Sequence, residues 1–240
     1  MAAIVGANVF VCIAWRFAPL WPLLTRYFMH VPGYPRAVQS VLNVFSHVQY
    51  EHILGNMMTL VVVGPVCLDL VGRGVFLGTY VSAGAVGTLA SLYWANLGRG
   101  NIAAHSVGAS AAIWGIAALY CLLSEQNTLV IPFVKDLEVS FYPKLLFCAF
   151  VVMEVLTARK MLGKGTADHA SHFGGMVTGM AVAGYMHMSG WRPRPGAATL
   201  GGEGAQGKVA SDGKKVDPAT VLKGEAVEVK DAVKKAVKQE

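Results

Sequence analysis

Serine, histidine and asparagine are expensive inside apolar helices, yet this chain sets them at three points where apolar runs begin. His52-Ile-Leu-Gly-Asn56 opens one run, Gly108-Ala-Ser110 a second, and His172-Phe-Gly-Gly175 a third. Such groups at membrane depth are read first as functional. A serine hydroxyl attacks a carbonyl only when a neighbouring base takes its proton, and His172 is a candidate base for Ser110. His52 and Asn56 are four residues apart and share a helix face. Both donate hydrogen bonds, which suits an oxyanion. A helix start at Ser110 adds unpaired backbone N–H groups and the positive end of the helix dipole, and Gly108 permits close backbone approach. The chemistry on offer is acyl transfer through a Ser110–His172 pair. Each residue alone has a plainer reading. Ser110 is more often a helix N-cap, Asn56 interhelical glue, and His172 a satisfied core histidine.

The elements that must hold these residues are apolar helices. Of 240 residues, 54% are hydrophobic and only 14% charged, with a mean hydropathy of +0.48, which is less charge than a soluble domain carries. Apolar segments at about 2–15, 53–72, 74–96, 108–124, 141–158 and 169–189 are expected to span a bilayer, giving an all-α, six-helix membrane bundle over residues 1–190. Because each span reverses direction, the second, fourth and sixth enter from one side. His52, Ser110 and His172 are therefore expected at one face and at similar depth, where random placement would scatter them. Gly84, Gly87, Gly115, Gly174, Gly175 and Gly179 mark close helix contacts, with Gly175 and Gly179 as a small-xxx-small pair.

Residues 16–51 form a long connection rich in aromatics, proline and arginine (Trp21, Arg26, Tyr27, Phe28, Pro32, Tyr34, Pro35), expected to lie in the interface as a loop with some amphipathic helix. Residues 191–240 change character, with Trp191-Arg-Pro-Arg-Pro, a Gly/Ala-rich stretch and a Lys/Glu-rich end, and are expected to be a polar, disordered or weakly helical tail. The net charge of +6 comes from loops and tail rather than one stripe. It points to anionic lipid headgroups and not to nucleic acid. Basic residues flank both faces, so the charge rule assigns no orientation. No signal or transit peptide is legible at Met1, so targeting is expected to be internal, or a longer N-terminus precedes it. Cys12, Cys67, Cys121 and Cys148 are widely spaced in apolar runs and read as small buried hydrophobes.

Metal binding is the chemical rival. His47, His52, His105, His169 and His172 fall on the expected active face, and Asp168-His-x-x-x-His172 has the look of a short ligand run. There is no HExxH, and the two acids within apolar spans, Asp69 and Glu154, read as belonging to the far end or to an unrelated stretch. No metal or other cofactor is expected. Asp168 is read as a solvated acid at a helix start, with orientation of His172 as the alternative.

At these residues the chain resembles the rhomboid family of intramembrane serine proteases, from about residue 2 to 189. The resemblance lies in Trp15-Arg16, His52-x-x-x-Asn56, Gly108-x-Ser110 and Ser171-His172-x-x-Gly175-x-x-x-Gly179. Phe45-Ser46-His47, Tyr80-Val-Ser-Ala-Gly84 and Asp168-His-Ala-Ser-His-Phe-Gly-Gly175 look most like the mitochondrial presenilin-associated branch. It implies a Ser110–His172 dyad without an acidic third member, and an oxyanion pocket from His52, Asn56 and the Ser110 backbone N–H. It also implies an aromatic, Trp114, stacking on the catalytic histidine, although core packing suits Trp114 as well. The implied substrates are single-span membrane proteins, cut without a cofactor, and the implied location is the mitochondrial inner membrane. Two features depart from the pattern: Ala111 follows the nucleophile where the family usually has glycine, and the branch usually carries a further span ahead of the six-helix core. The Ala111 methyl could crowd the oxyanion pocket or the contact between the fourth and sixth helices. It therefore supports a second class of function, a catalytically impaired membrane-protein adaptor, quality-control or translocation component. Retention of His52, Asn56, Ser110 and His172 together argues for the enzyme.

Overall fold

The computed structural model describes residues 1–98, 102–103, 105–125, 128–130, 138–140, 142–160 and 168–192. The expected tail from 193 onward lies outside the described residues. Helix α1 (Ala2–Ala14) runs into a short 3-10 turn and α2 (Trp21–Phe28), which leaves it at 107°. Pro19 and Pro22 sit in the first turns of these two elements, where a missing N–H costs nothing. A one-turn α3 (Gln39–Leu42) and a second 3-10 turn complete the 16–51 connection. It exposes Phe17, Leu20, Trp21, Leu23 and Tyr34 while burying Leu24 and Val44.

Helix α4 covers Tyr50–Asn96, 47 residues, but Gly72 breaks it at φ 81°, ψ 167°, a conformation that only glycine adopts freely. The two halves reproduce the segments expected at 53–72 and 74–96. They fold back on each other, since His52 and Thr88, on opposite sides of the break, both reach the corner formed by Asn43 and Gly108. α5 (Ser110–Leu123) is the central helix, with Ala112, Ile116, Ala118 and Leu119 fully buried. α6 (Pro143–Lys160) opens on a proline, and α7 (His169–Met188) is capped by Asp168, whose carboxylate accepts the Ser171 N–H at 3.0 Å. That cap satisfies one of the orphan donors of the first turn and corrects the reading of Asp168 as merely solvated.

Among the described residues, the departure from a wholly helical fold is a two-stranded antiparallel ribbon between α5 and α6, β1 (Thr128–Val130) against β2 (Glu138–Ser140), with Leu129 opposite Val139. The helices turn large apolar side chains outward. Phe10 on α1, Leu54 and Leu89 on α4, Val152 and Met153 on α6, and Val177 and Met180 on α7 are all exposed, a distribution that suits lipid better than water. Cys12, Cys67 and Cys121 are buried as expected, but Cys148 is exposed on α6. Among the described residues, α4 is long and apolar enough to cross a membrane, α1 with the 18–28 segment is so as one bent pair, and α5 is apolar but shorter.

The core around α5 is assembled by backbone contact. A Cβ at Gly175 would collide with the Ala111 carbonyl oxygen, and one at Gly179 with the Gly115 carbonyl oxygen. A Cβ at Gly174 would lie 2.8 Å from the Gly87 Cα. α5, α7 and the second half of α4 therefore meet at a distance that side chains would forbid.

Candidate active site

Ser110 is the first residue of α5 and His172 lies in the first turn of α7. The glycine-lined contact between these helices sets the two side chains facing each other, with His172 Nε2 2.9 Å from Ser110 Oγ. This is hydrogen-bond distance for a nucleophile and its base. Trp114, one turn after Ser110, has its ring centroid 6.1 Å from that of His172 at 44°, and packs edge-on against Phe150 at 5.6 Å. Trp114 thus lies beside the His172 ring in a tilted arrangement, and also packs against Phe150.

His52 and Asn56, on one face of α4, flank Gly108. A Cβ there would approach His52 Cε1 to 2.6 Å and Asn56 Nδ2 to 3.5 Å, and Gly108 has φ 131°. Gly108 is thus required twice, for its backbone conformation and for the room it leaves. As part of the first turn, the Ser110 N–H has no acceptor within its own helix.

His47 is a residue whose role the sequence did not assign. It is fully buried, and its Nε2 accepts from Asn56 Nδ2 at 2.8 Å and from the Ala109 N–H at 3.3 Å. Burial, and secondarily the nearby His52, pushes the His47 imidazole down to about 3, so it is neutral and free to accept through Nε2. It therefore fixes the direction of the Asn56 amide and consumes the Ala109 N–H, leaving the other Asn56 N–H unused by this contact. The loop that carries His47 is itself tied down. Trp15 Nε1 donates to Ser46 Oγ at 2.8 Å, the Arg16 guanidinium donates to the Val48 carbonyl, and the same guanidinium lies 4.3 Å from the Tyr50 ring centroid. On the other side, Asn43 donates through Nδ2 to Thr88 Oγ1 at 3.0 Å and accepts the Gly108 N–H through its carbonyl at 3.1 Å.

Glu154 overturns its sequence reading. α6 brings it to α7, where its Oε1 lies 2.7 Å from His172 Nδ1 and 2.6 Å from His169 Nδ1. Its sequence distance from the histidines, 18 and 15 residues, and the absence of any local motif hid this contact. The signal was a lone carboxylate in an apolar run, which needs a partner. Among the described residues, Glu154, His169 and His172 offer ligand atoms within 4.8 Å of one another and form a candidate site for a divalent cation. The wider histidine group divides otherwise. His47 is bonded to Asn56, His105 is exposed in the loop before α5, and Asp69 is near the Gly72 break, roughly 25 Å along α4 from His52.

The Ala111 methyl is accommodated. It faces Gly87, where a Cβ would be 2.6 Å away, while the Ala111 carbonyl receives Gly175. Glycine at 87 and 175 makes the space that glycine at 111 would otherwise supply.

The fold and this polar cluster together define a helical membrane protein with a serine–histidine pair at one end of its central helices. The family model described as the Rhomboid domain matches residues 35–189, and the chain belongs to the rhomboid family. It is 31% identical over 195 residues to the mitochondrial presenilin-associated rhomboid-like protein of Bos taurus, covering 81% of this chain and 50% of that protein. The corresponding protein A of Danio rerio is also 31% identical over 81% of this chain and 49% of its own length. The mitochondrial Rhomboid protein 1 of Saccharomyces cerevisiae is 28% identical over 77% and 52%. The chain thus spans about half the length of the curated relatives it matches.

Proposed function

We propose that this protein is an intramembrane serine endopeptidase that cleaves single-span membrane proteins. The observation that carries the proposal is the 2.9 Å contact between His172 Nε2 and Ser110 Oγ at the mouth of an apolar helix bundle. In this reading residues 1–190 form a six-span domain, with the two halves of α4 counted separately, and 191–240 a polar tail. Its location is the mitochondrial inner membrane, which the mitochondrial relatives support.

The Ser110 hydroxyl proton passes to His172 Nε2 as Oγ bonds to the scissile carbonyl carbon, and the carbonyl π pair moves onto its oxygen. That oxyanion is held by the Ser110 N–H, by the free N–H of Asn56 and by His52. Collapse breaks the C–N bond, and the proton on Nε2 leaves with the amine. Water then repeats the sequence on the acyl-enzyme, with His172 again as base. Gly108 keeps the oxyanion donors close to Ser110, Trp114 backs the His172 ring, and Gly175 and Gly179 hold α7 against α5. The binding-only alternative has Ala111 as its sequence feature, and the place of that methyl against Gly87 supports the enzyme reading over it.

A serine-directed fluorophosphonate tests this reading. Wild-type protein in detergent is expected to label at Ser110, and His172→Ala to abolish labelling. Absence of labelling together with stable co-purification of a single-span protein favours the adaptor instead.

A further inference from the structure

We infer that Glu154 is a positioning residue for His172, so that the site works as a serine–histidine–glutamate relay of contacts. The inference rests on the protease reading and deepens it. An ionised carboxylate only accepts hydrogen bonds. With Oε1 2.7 Å from His172 Nδ1, the ring proton must sit on Nδ1. Nε2 then carries its lone pair toward Ser110 Oγ at 2.9 Å, which is the tautomer a general base needs. The opposite tautomer would place a hydrogen where the serine proton has to go.

The surroundings make the arrangement exacting. The side chains of Glu154 and His172 are 11% and 17% exposed, so water competes little for either partner. The same oxygen accepts from His169 Nδ1 at 2.6 Å, which holds the carboxylate from a second direction, while His169 Nε2 is buried without a partner among the described residues. When His172 takes the serine proton, the new imidazolium lies beside a fixed negative charge and Nδ1–H remains where it is. No proton reaches Glu154. Among the described residues, the charged, titratable or hydroxyl groups around His172 are Glu154 on α6, His169 and the capping Asp168 on α7, Ser110 on α5 and His52 on α4. Of these, Glu154 is the one that contacts Nδ1.

The test uses Glu154→Gln in the full chain, reconstituted with a single-span reporter, alongside wild type and Ser110→Ala. Gln keeps the shape and one acceptor oxygen but loses the charge. kcat is expected to fall by at least about 10-fold, with KM changed less than about 2-fold, as for other loss of acid–base support. Glu154→Asp should recover part of kcat. A Glu154→Gln protein with wild-type kcat overturns the inference while leaving the protease reading intact, whereas Ser110-independent cleavage overturns that reading instead. A readout without catalysis covers any loss of fold in the variants. In histidine-15N-labelled wild type, His172 is expected as the Nδ1–H tautomer, and finding it as Nε2–H overturns the positioning role whatever the activity.

Discussion

The two sides of Ser110 are held by different physics. On one side, α5 meets α7 and the second half of α4 through Gly87, Gly115, Gly174, Gly175 and Gly179, with backbone against backbone or against small side chains such as the Ala83 and Ala111 methyls. On the other, the corner of His47, Asn56, Gly108 and Asn43 is fixed by directed hydrogen bonds from a loop anchored by Trp15 and Arg16. The first fixes where the nucleophile and base stand. The second fixes which way donors point. Contact gives distance at little entropic cost, because glycine-lined helices have no rotamers to order, whereas an oxyanion needs donors aimed along a particular line.

Substitutions should separate the two. Gly175→Val, driven into the Ala111 carbonyl, is expected to cost about 3 kcal/mol or more and to remove both folded yield and cleavage, read by thermal melting and a reporter assay. On the hydrogen-bonded side, Asn56→Ala is expected to lower kcat by about 100-fold with a melting temperature close to wild type. A large loss of stability there would blur the distinction. Gly87→Ala is expected to destabilise by about 1–3 kcal/mol. Adding Ala111→Gly should recover at least about 0.5 kcal/mol of that, since neighbours in contact couple. Full additivity would show that the Ala111 methyl does not rely on Gly87.

The smallest effect is a pH dependence of stability. His47 has a folded-state value near 3, against an ordinary 6.5, through burial first and His52 second. Buried His30 is lowered in the same direction by burial, against the opposing pull of Asp168. Below pH 6.5 the unfolded chain binds protons that the folded chain refuses, so stability falls as pH drops from 6.5 toward 3 and is flat above. Melting temperatures between pH 5 and 8 check the sign.

Much of this was legible in the sequence because it is local or periodic. The apolar segments matched the helices to within a few residues, including the break at Gly72, and Gly108-x-Ser110 and His172-x-x-Gly175 marked helix starts that topology had to bring together. The resemblance to rhomboids was carried by short motifs on alternate helices. What stayed hidden was non-local and had no spacing to betray it. Glu154 meets His172 only after α6 docks on α7, and the bond from Asn56 to His47 depends on how a loop folds back over α4. Ala111 looked like a defect for the same reason, since its compensation at Gly87 lies on another helix.

The most direct test of the central claim is cleavage of a single-span reporter by purified protein in liposomes, wild type against Ser110→Ala. The account predicts cleavage by wild type and none by the variant, with both equally folded. Undiminished cleavage by Ser110→Ala would contradict it.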